Sequence, residues 1–345
     1  MAFLYGILAG FVMPLQTSIN TRLRRSLGTP FRASGVNFFV GLCFLVVLSF
    51  LLGDGLIPFR KLAGQPVWMF LGGFCGVTVL TGNLVLFPIL GATQTIVFPL
   101  FGQIVMGILI DTFGWFRGDV VPLTLWRVLG AALVFAGVVL VALGGSNEEK
   151  ADETRTQSQL WAARLFGVSF GTLGAVQTAI NGQLGAFLDS PVQSSMMNFL
   201  VGTMALGLLC LFGHRKARKP SAKGPWWMWV GGFLGGGFVM FNVYLQHLLG
   251  TGLTVILNLI GLTAGGMFVD KTGVLESPKK PVTLQRVLGV LVMLGGAYGV
   301  TVHGVGSGET AADETQSQNS YVHRIASRTF RTRRFKSSNC AGVRD

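Results

Sequence analysis

Gln16-Thr17-Ser18-Ile19-Asn20 recurs 161 residues later as Gln177-Thr178-Ala179-Ile180-Asn181. At the same offset Pro30 meets Pro191, Ser34 meets Ser195, Asn37-Phe38 meets Asn198-Phe199, and Gly41 meets Gly202. Two residues drop out of the next loop, and the match resumes at an offset of 159. There Trp68-Met69 meets Trp227-Met228, Gly72-Gly73-Phe74 meets Gly231-Gly232-Phe233, and Asn83 meets Asn242. Leu90-Gly91 then meets Leu249-Gly250, Asp111 meets Asp270, Gly114 meets Gly273, and Arg127-Val128-Leu129-Gly130 meets Arg286-Val287-Leu288-Gly289. Chance does not hold register this long. The chain is a tandem duplication.

Composition says where the two copies live. Half of the residues are hydrophobic, only 12% are charged, and glycine occurs 49 times; the mean hydropathy is +0.58. Charge is about half, and glycine about double, the usual share of a soluble domain. Apolar runs of about 20 residues, the length that crosses a bilayer core, cover 3–19, 33–52, 67–87, 93–110 and 125–143. The second copy repeats them at 165–184, 192–212, 226–245, 253–269 and 284–302. These runs do not alternate polar and apolar residues, so they predict helices rather than barrel strands. Lys, Arg, Asp and Glu are confined to loops, tails and span ends. The expected fold is an all-α polytopic membrane protein with ten transmembrane helices.

Five spans per copy is an odd number, so the second copy must enter the membrane the opposite way round. Two inverted five-helix repeats follow, the arrangement many secondary transporters use for alternating access, with the substrate site at the repeat interface. The expected organisation is a first repeat over 1–145, a polar tether over 146–163, a second repeat over 164–305 and a disordered basic tail over 306–345. Because the two repeats replace a dimer, a monomer suffices.

Other features exclude function classes. No H-E-x-x-H, G-x-S-x-G, P-loop or Cys/His cluster is present, so no catalytic residue, metal site or cofactor is expected. Cys43, Cys75 and Cys210 lie within spans and read as apolar packing. The formal charge of +13 owes much to the tail and says nothing of nucleic acid; beside a membrane a basic tail suggests contact with anionic lipid headgroups or no specific partner. No cleavable signal peptide is expected, because the first span lacks a basic leader and belongs to the repeat. The expected partners are the lipid bilayer and a small-molecule solute. The expected location is the plasma membrane, with an organelle membrane as the alternative.

Polar residues inside spans are the candidate site. Gln16 and Asn20 are spaced i, i+4 and so share one helix face, as do Gln177 and Asn181. Amides at membrane depth face a bundle interior or a wet cavity, or hold helices together. With Asn37, Asn198, Asn83 and Asn242, they are the candidate lining of a substrate cavity. Asp111 and Asp270, the acids nearest membrane depth, read either as a coupling pair or as interfacial acids closing a span ahead of Gly114 and Gly273. The steps Gly6/Gly10, Gly72/Gly76, Gly167/Gly171, Gly231/Gly235 and Gly261/Gly265 read as close helix contacts. Pro14, Pro88 and Pro99 are places for a kink, and Pro14 for a break beside the amide pair.

The Gln-x-x-x-Asn late in the first span, the Ser/Thr-Pro loop, the Asn-Phe-x-x-Gly of the second span and the Asp-x-x-Gly closing the fourth resemble the YdcZ-like inner-membrane exporters. That family belongs to the drug/metabolite transporter superfamily. The resemblance covers roughly 3–143 and 165–303, and it implies a ten-helix transporter fold and export of a small molecule from a fused pair of five-helix units. Leu262 stands where the first copy has Gln103, and Leu253 where it has Gln94, so the fourth and ninth spans are not chemically equivalent. A non-transporting membrane scaffold or receptor-like protein is the alternative function.

Orientation gives two opposed expectations. Loops on the side reached after the first span hold most of the basic residues, Arg22, Arg24, Arg25, Arg32, Arg215 and Lys279 among them. The other side, before the tail, holds Arg60, Lys61, Arg117 and Arg127. Positive-inside counting places both termini outside, whereas the resemblance implies both inside.

The tail generates a first prediction. Its residues lack the apolar content to join a core, so deleting 306–345 leaves the yield of inserted, folded protein unchanged. Size-exclusion chromatography of the detergent-extracted deletion variant checks this.

Overall fold

The computed structural model describes residues 2–118, 120–144, 156–212, 224–277 and 281–304. The tail and most of the tether therefore lie outside the described residues, as do the side chains of Asn83 and Gln94. The first copy forms α1 (Ala2–Leu27), α2 (Pro30–Leu52), the one-turn α3 (Phe59–Leu62), α4 (Gly72–Phe113) and α5 (Leu125–Gly144). The second forms α6 (Gln157–Leu188), α7 (Pro191–Phe212), α8 (Gly231–Thr272) and α9 (Leu284–Gly304). The described residues form an all-α membrane protein. Five segments are long and apolar enough to cross a bilayer, and large apolar side chains such as Leu51, Leu211, Leu125 and Leu284 stand more than 70% exposed on the outside. Such a surface suits hydrocarbon, not water.

Local sequence sets the helix ends. Thr29 caps α2 by accepting from the Arg32 amide at 3.3 Å, with Pro30 in the first turn. Ser190 takes the same place before Pro191, accepting from the Gln193 amide at 3.1 Å. Proline fits a first turn because that turn's N–H has no partner to lose. Gly114 and Gly273, with φ of 60° and 67°, end α4 and α8 in the left-handed region. Beyond them Phe116 and Arg117, and equivalently Leu275 and Glu276, adopt left-handed φ values near 60° without being glycine. α6 begins eight residues before its apolar run, inside the expected tether, because Thr156 and Gln159 form a reciprocal capping box. α1 continues through Pro14 without the expected break.

α4 and α8 each hold 42 residues. At 1.5 Å per residue a straight helix of that length reaches about 63 Å, twice a hydrocarbon core. Each is instead folded back on itself. Along α4, Gly72 and Gly76 meet Asn181 and Gln177, and Gly82 meets Phe170; then Gly102 meets Val168 and a Cβ on Gly174 would meet Gln103. The chain passes down α6 and returns along it. α8 does the same on α1: Gly231 and Gly235 meet Asn20 and Gln16, whereas Gly261 and Gly265 meet Ile7 and Phe11. Its arms meet at Gly250, whose φ of 76° and ψ of 172° belong to a region reserved for glycine.

Each copy's first helix thus packs on the folded-back helix of the other copy, α1 on α8 and α6 on α4. Equivalent helices also pair with each other. In α2·α7 the Phe38 ring lies where a Gly202 side chain would stand, and the Phe199 ring lies over Gly41, with ring centroids 5.0 Å apart. In α5·α9, Gly130 meets the Gly296 carbonyl and Gly137 meets the Gly289 carbonyl. Both pairs run antiparallel. Leu45 and Leu206 are fully buried near the first contact, and Val134 and Met293 near the second. Lipid supplies no hydrophobic drive between helices, so backbone approach through glycine provides the packing.

The glycine contacts generate a second prediction. A Cβ at Gly171 would lie 2.1 Å from the Pro99 carbonyl oxygen, whereas one at Gly295 meets nothing within 4 Å. Gly171→Ala should destabilise the protein by about 1–3 kcal/mol through overpacking. Gly295→Ala should be neutral or stabilising by up to about 1 kcal/mol. Thermal denaturation in detergent separates them, and equal melting temperatures would show that α4 and α6 do not approach this closely.

Candidate functional site

Six of the eight expected cavity amides form two triangles, one at each face of the bundle. We call face I the side where α4 and α6 end, and face II the side where α1 and α8 end. Near face I, Gln177 Nε2 and Asn181 Nδ2 both donate to Asn198 Oδ1, at 3.2 and 3.1 Å. Gly72 and Gly76 of the other copy close over them, since a Cβ on either would lie 2.0 Å from Asn181 Oδ1 or 2.7 Å from Gln177 Nε2. Ser194 Oγ donates to the Asn181 carbonyl at 2.5 Å. Asn181 and Asn198 are buried, and Asn198 Nδ2 has no hydrogen-bond partner.

Near face II the equivalent residues Gln16, Asn20 and Asn37 gather against Gly231 and Gly235. Here the bonds are not made: Asn20 Oδ1 and Asn37 Oδ1 are buried without a hydrogen-bond partner. A buried amide oxygen left unpaired costs about 1–3 kcal/mol. The Phe38–Phe199 contact sits where α2 crosses α7. Asn242 is buried apart from both, donating to the Phe238 carbonyl and accepting from Asn258 Nδ2 across the two arms of α8.

The acids show the same inequality. Asp111, at the end of α4, is buried, and its carboxylate accepts from the backbone N–H groups of Thr251 at 2.9 Å and Gly252 at 2.8 Å. These are the first free N–H groups of the returning arm of α8, exposed by the break at Gly250, and a carboxylate is their natural cap. Arg127 Nη2 reaches the same carboxylate at 3.1 Å, and Arg127 Nη1 donates to the Val121 carbonyl at 2.8 Å. A solvated interfacial acid is therefore not what α4 ends on: its acid is inside the bundle, bonded to the other copy. Asp270, its equivalent at face II, pairs with Arg286 at 2.6 Å. Its side chain is 25% exposed, and Arg286 Nε and Nη1 are buried without partners.

Face I carries further closure. Ser190 Oγ donates to Asp54 at 2.6 Å, Gln193 Nε2 donates to the Asp54 carbonyl at 2.7 Å, and Trp68 packs on Phe116 with centroids 5.3 Å apart. Face II instead has a cleft of about 130 Å³ between α1 and the turn after α8, lined by Thr17, Ser18, Thr21, Arg22 and Glu276. Arg22 and Glu276 bridge it at 2.9 Å.

Sequence reasoning missed Gln246, Thr251 and Asn258, each with a buried, unpartnered oxygen. Their equivalents Phe87, Ala92 and Pro99 are apolar, so the repeat pattern that marked the other amides passed over these. Among the described residues no cluster of His, Cys, Asp and Glu is placed to hold a metal ion.

Comparison with known proteins follows this geometry. A solved crystal structure, described only as that of a protein, matches with a TM-score of 0.62 at 16% identity, covering 88% of this chain and 98% of the other. That likeness concerns the fold alone. No curated protein matches. The family model described as "Putative inner membrane exporter, YdcZ" matches twice, over residues 1–140 and 162–299. With more than half of its length so matched, once in each copy, the chain belongs to the YdcZ family of inner-membrane exporters.

Proposed function

We propose that the protein is a secondary transporter that exports a small molecule by alternating access between two inverted five-helix repeats. Folded-back α4 and α8 each supply two spans, which makes ten. The antiparallel pairing of α2 with α7 and of α5 with α9 supports the inversion, because exchanging the copies reverses the direction of every helix. The family supports export. A plasma-membrane location and a monomer complete the reading, since both halves of the pathway lie in one chain.

One observation carries the mechanism: sequence-equivalent polar contacts are made at face I and unmade at face II. Gln177, Asn181 and Asn198 are bonded where Gln16, Asn20 and Asn37 are not. Asp111 is buried and caps an arm of α8, whereas its equivalent Asp270 is a quarter exposed. In an inverted repeat the mirror conformation, with face II closed, is built from the same kinds of contact. Each amide triangle then serves twice, as a helix lock when its face is closed and as solute-binding groups when its face opens. Uncharged amides suit a neutral or weakly charged solute held by hydrogen bonds. Asn83 and Asn242 complete the proposed lining.

The test combines flux with stability. Metabolite profiling of cells with and without the protein supplies a solute for proteoliposome flux. Asn20→Ala should reduce flux and barely move the melting temperature, because Asn20 Oδ1 has no bond to lose in this conformation. Asn181→Ala should reduce flux and also lower stability by about 0.6 kcal/mol or more, the size of an interhelical hydrogen bond in lipid. Undiminished flux in the double variant Asn20→Ala, Asn181→Ala would end the assignment of these amides to the pathway.

A further inference from the structure

We propose that the cleft at face II is an oxyanion site, which takes the carboxylate or phosphate group of a solute or of an anionic lipid headgroup in exchange for the side chain of Glu276. The cleft of about 130 Å³ opens between α1 and the turn after α8, and Ser18, Thr21, Arg22, Arg25, Glu276 and Ser277 line it. At about 30 Å³ per water, it holds a few waters or one small oxyanion. Arg22 and Arg25 lie on one face of α1, and of the charged residues lining the cleft only Glu276 opposes them. The lining is therefore net positive. A carboxylate already stands there: Glu276 Oε2 lies 2.9 Å from Arg22 Nε. That nitrogen is buried and still lacks a hydrogen-bond partner, so the glutamate is close but off the line of the N–H. Arg25 is exposed and forms no ion pair among the described residues. A guanidinium fork is shaped to hold carboxylate or phosphate oxygens in pairs, and here that capacity is partly unused.

The other copy shows that the fold does not need these charges. At face I, Ala179, Gly182, Gln183 and Ala186 occupy the positions of Ser18, Thr21, Arg22 and Arg25, and Arg117 that of Glu276. The turn there takes the same backbone: Phe116 and Arg117 have φ of 61° and 64°, and Leu275 and Glu276 have 58° and 60°. The left-handed pair thus forms without an equivalent of the Arg22–Glu276 contact, and that contact is not what fixes the turn. The Glu276 side chain is 53% exposed, and an ion pair so open to water is a weak tie. A better-aligned oxyanion displaces it. The hydroxyl protons of Ser18 and Thr21 go to the Pro14 and Thr17 carbonyls within α1, so the two arginines supply the charge-assisted donors. The cleft also lies at the face where Asn20 Oδ1 and Asn37 Oδ1 are unpaired. If the oxyanion belongs to a solute, the site is the mouth of its pathway, a consequence that rests on the alternating-access reading. The binding itself does not depend on it.

The test uses the purified full-length protein and measures binding, not flux. Inorganic phosphate is titrated against the melting temperature in detergent, with chloride holding the ionic strength constant so that screening does not change. A ligand of the folded state raises that temperature saturably. A second arm extracts the protein from vesicles of phosphatidylcholine and phosphatidylglycerol, and native mass spectrometry counts the lipids of each kind that it retains. Arg22→Gln and Arg25→Ala install the residues of face I and should keep the fold, and each should weaken oxyanion binding about tenfold or more, as loss of a charge-assisted contact does. Glu276→Gln removes the competing carboxylate and should tighten binding about tenfold. Phosphate binding with this pattern identifies a soluble ligand, and phosphatidylglycerol retention with this pattern identifies a headgroup. Binding in neither arm, binding indifferent to both arginines, or weaker binding in Glu276→Gln overturns the proposal. If Arg22→Gln does not fold, Arg25→Ala and Glu276→Gln decide alone. Oxyanion binding in a protein that moves no solute would preserve the site and sink the transport reading.

Discussion

Each copy's first helix is buried by the other copy's folded-back helix, and the rest of the structure depends on that exchange. α1 lies in the groove between the arms of α8, and α6 between those of α4, with glycine backbones in contact at both. In a bilayer a helix gains little by leaving lipid, and close backbone approach is what holds it. The two copies therefore act as one unit with an interface that runs the length of the first helices. Polar groups placed on that interface, Gln16 and Asn20 or Gln177 and Asn181, are automatically shared between the halves.

Much of this was legible in the sequence. The apolar runs set the helix class, and the G-x-x-x-G steps marked close contacts that all lie against the opposite copy. α2 and α7 begin at the Ser/Thr-Pro dipeptides, just ahead of the expected runs at 33 and 192. The capping box at Thr156 and Gln159 was also readable, but the charged residues just before it drew the expected boundary downstream. Pro14 left α1 intact because a transmembrane helix tolerates proline when neighbouring groups absorb the lost hydrogen bond.

The site was less legible, for a physical reason. Asp111 ends its helix 140 residues before the amide it caps, and periodicity carries no information over that distance. The gap between the runs 226–245 and 253–269 located the break, but not that Gly250 takes it. Glycine is common throughout this chain, and nothing local distinguishes one that bends the backbone from one that admits a neighbouring helix. Equivalent residues in the two copies look identical in sequence, yet Asn181 is bonded and Asn20 is not. That difference belongs to the conformation and not to the residue types.

The polar mismatches along α4 and α8 have a thermodynamic consequence. A transporter assembled from two identical chains has two mirror conformations of equal energy, and symmetry alone fixes their ratio at one to one. Here Gln103 corresponds in sequence to Leu262, and Phe87, Ala92 and Pro99 correspond to Gln246, Thr251 and Asn258. On the proposed alternating-access reading, fusion lifts that degeneracy. A gap of a few kcal/mol between such states leaves the minor one at about 0.1–10% of the population. On that reading the resting ratio of the two forms becomes a property that single substitutions adjust, independently of how tightly either form holds its solute.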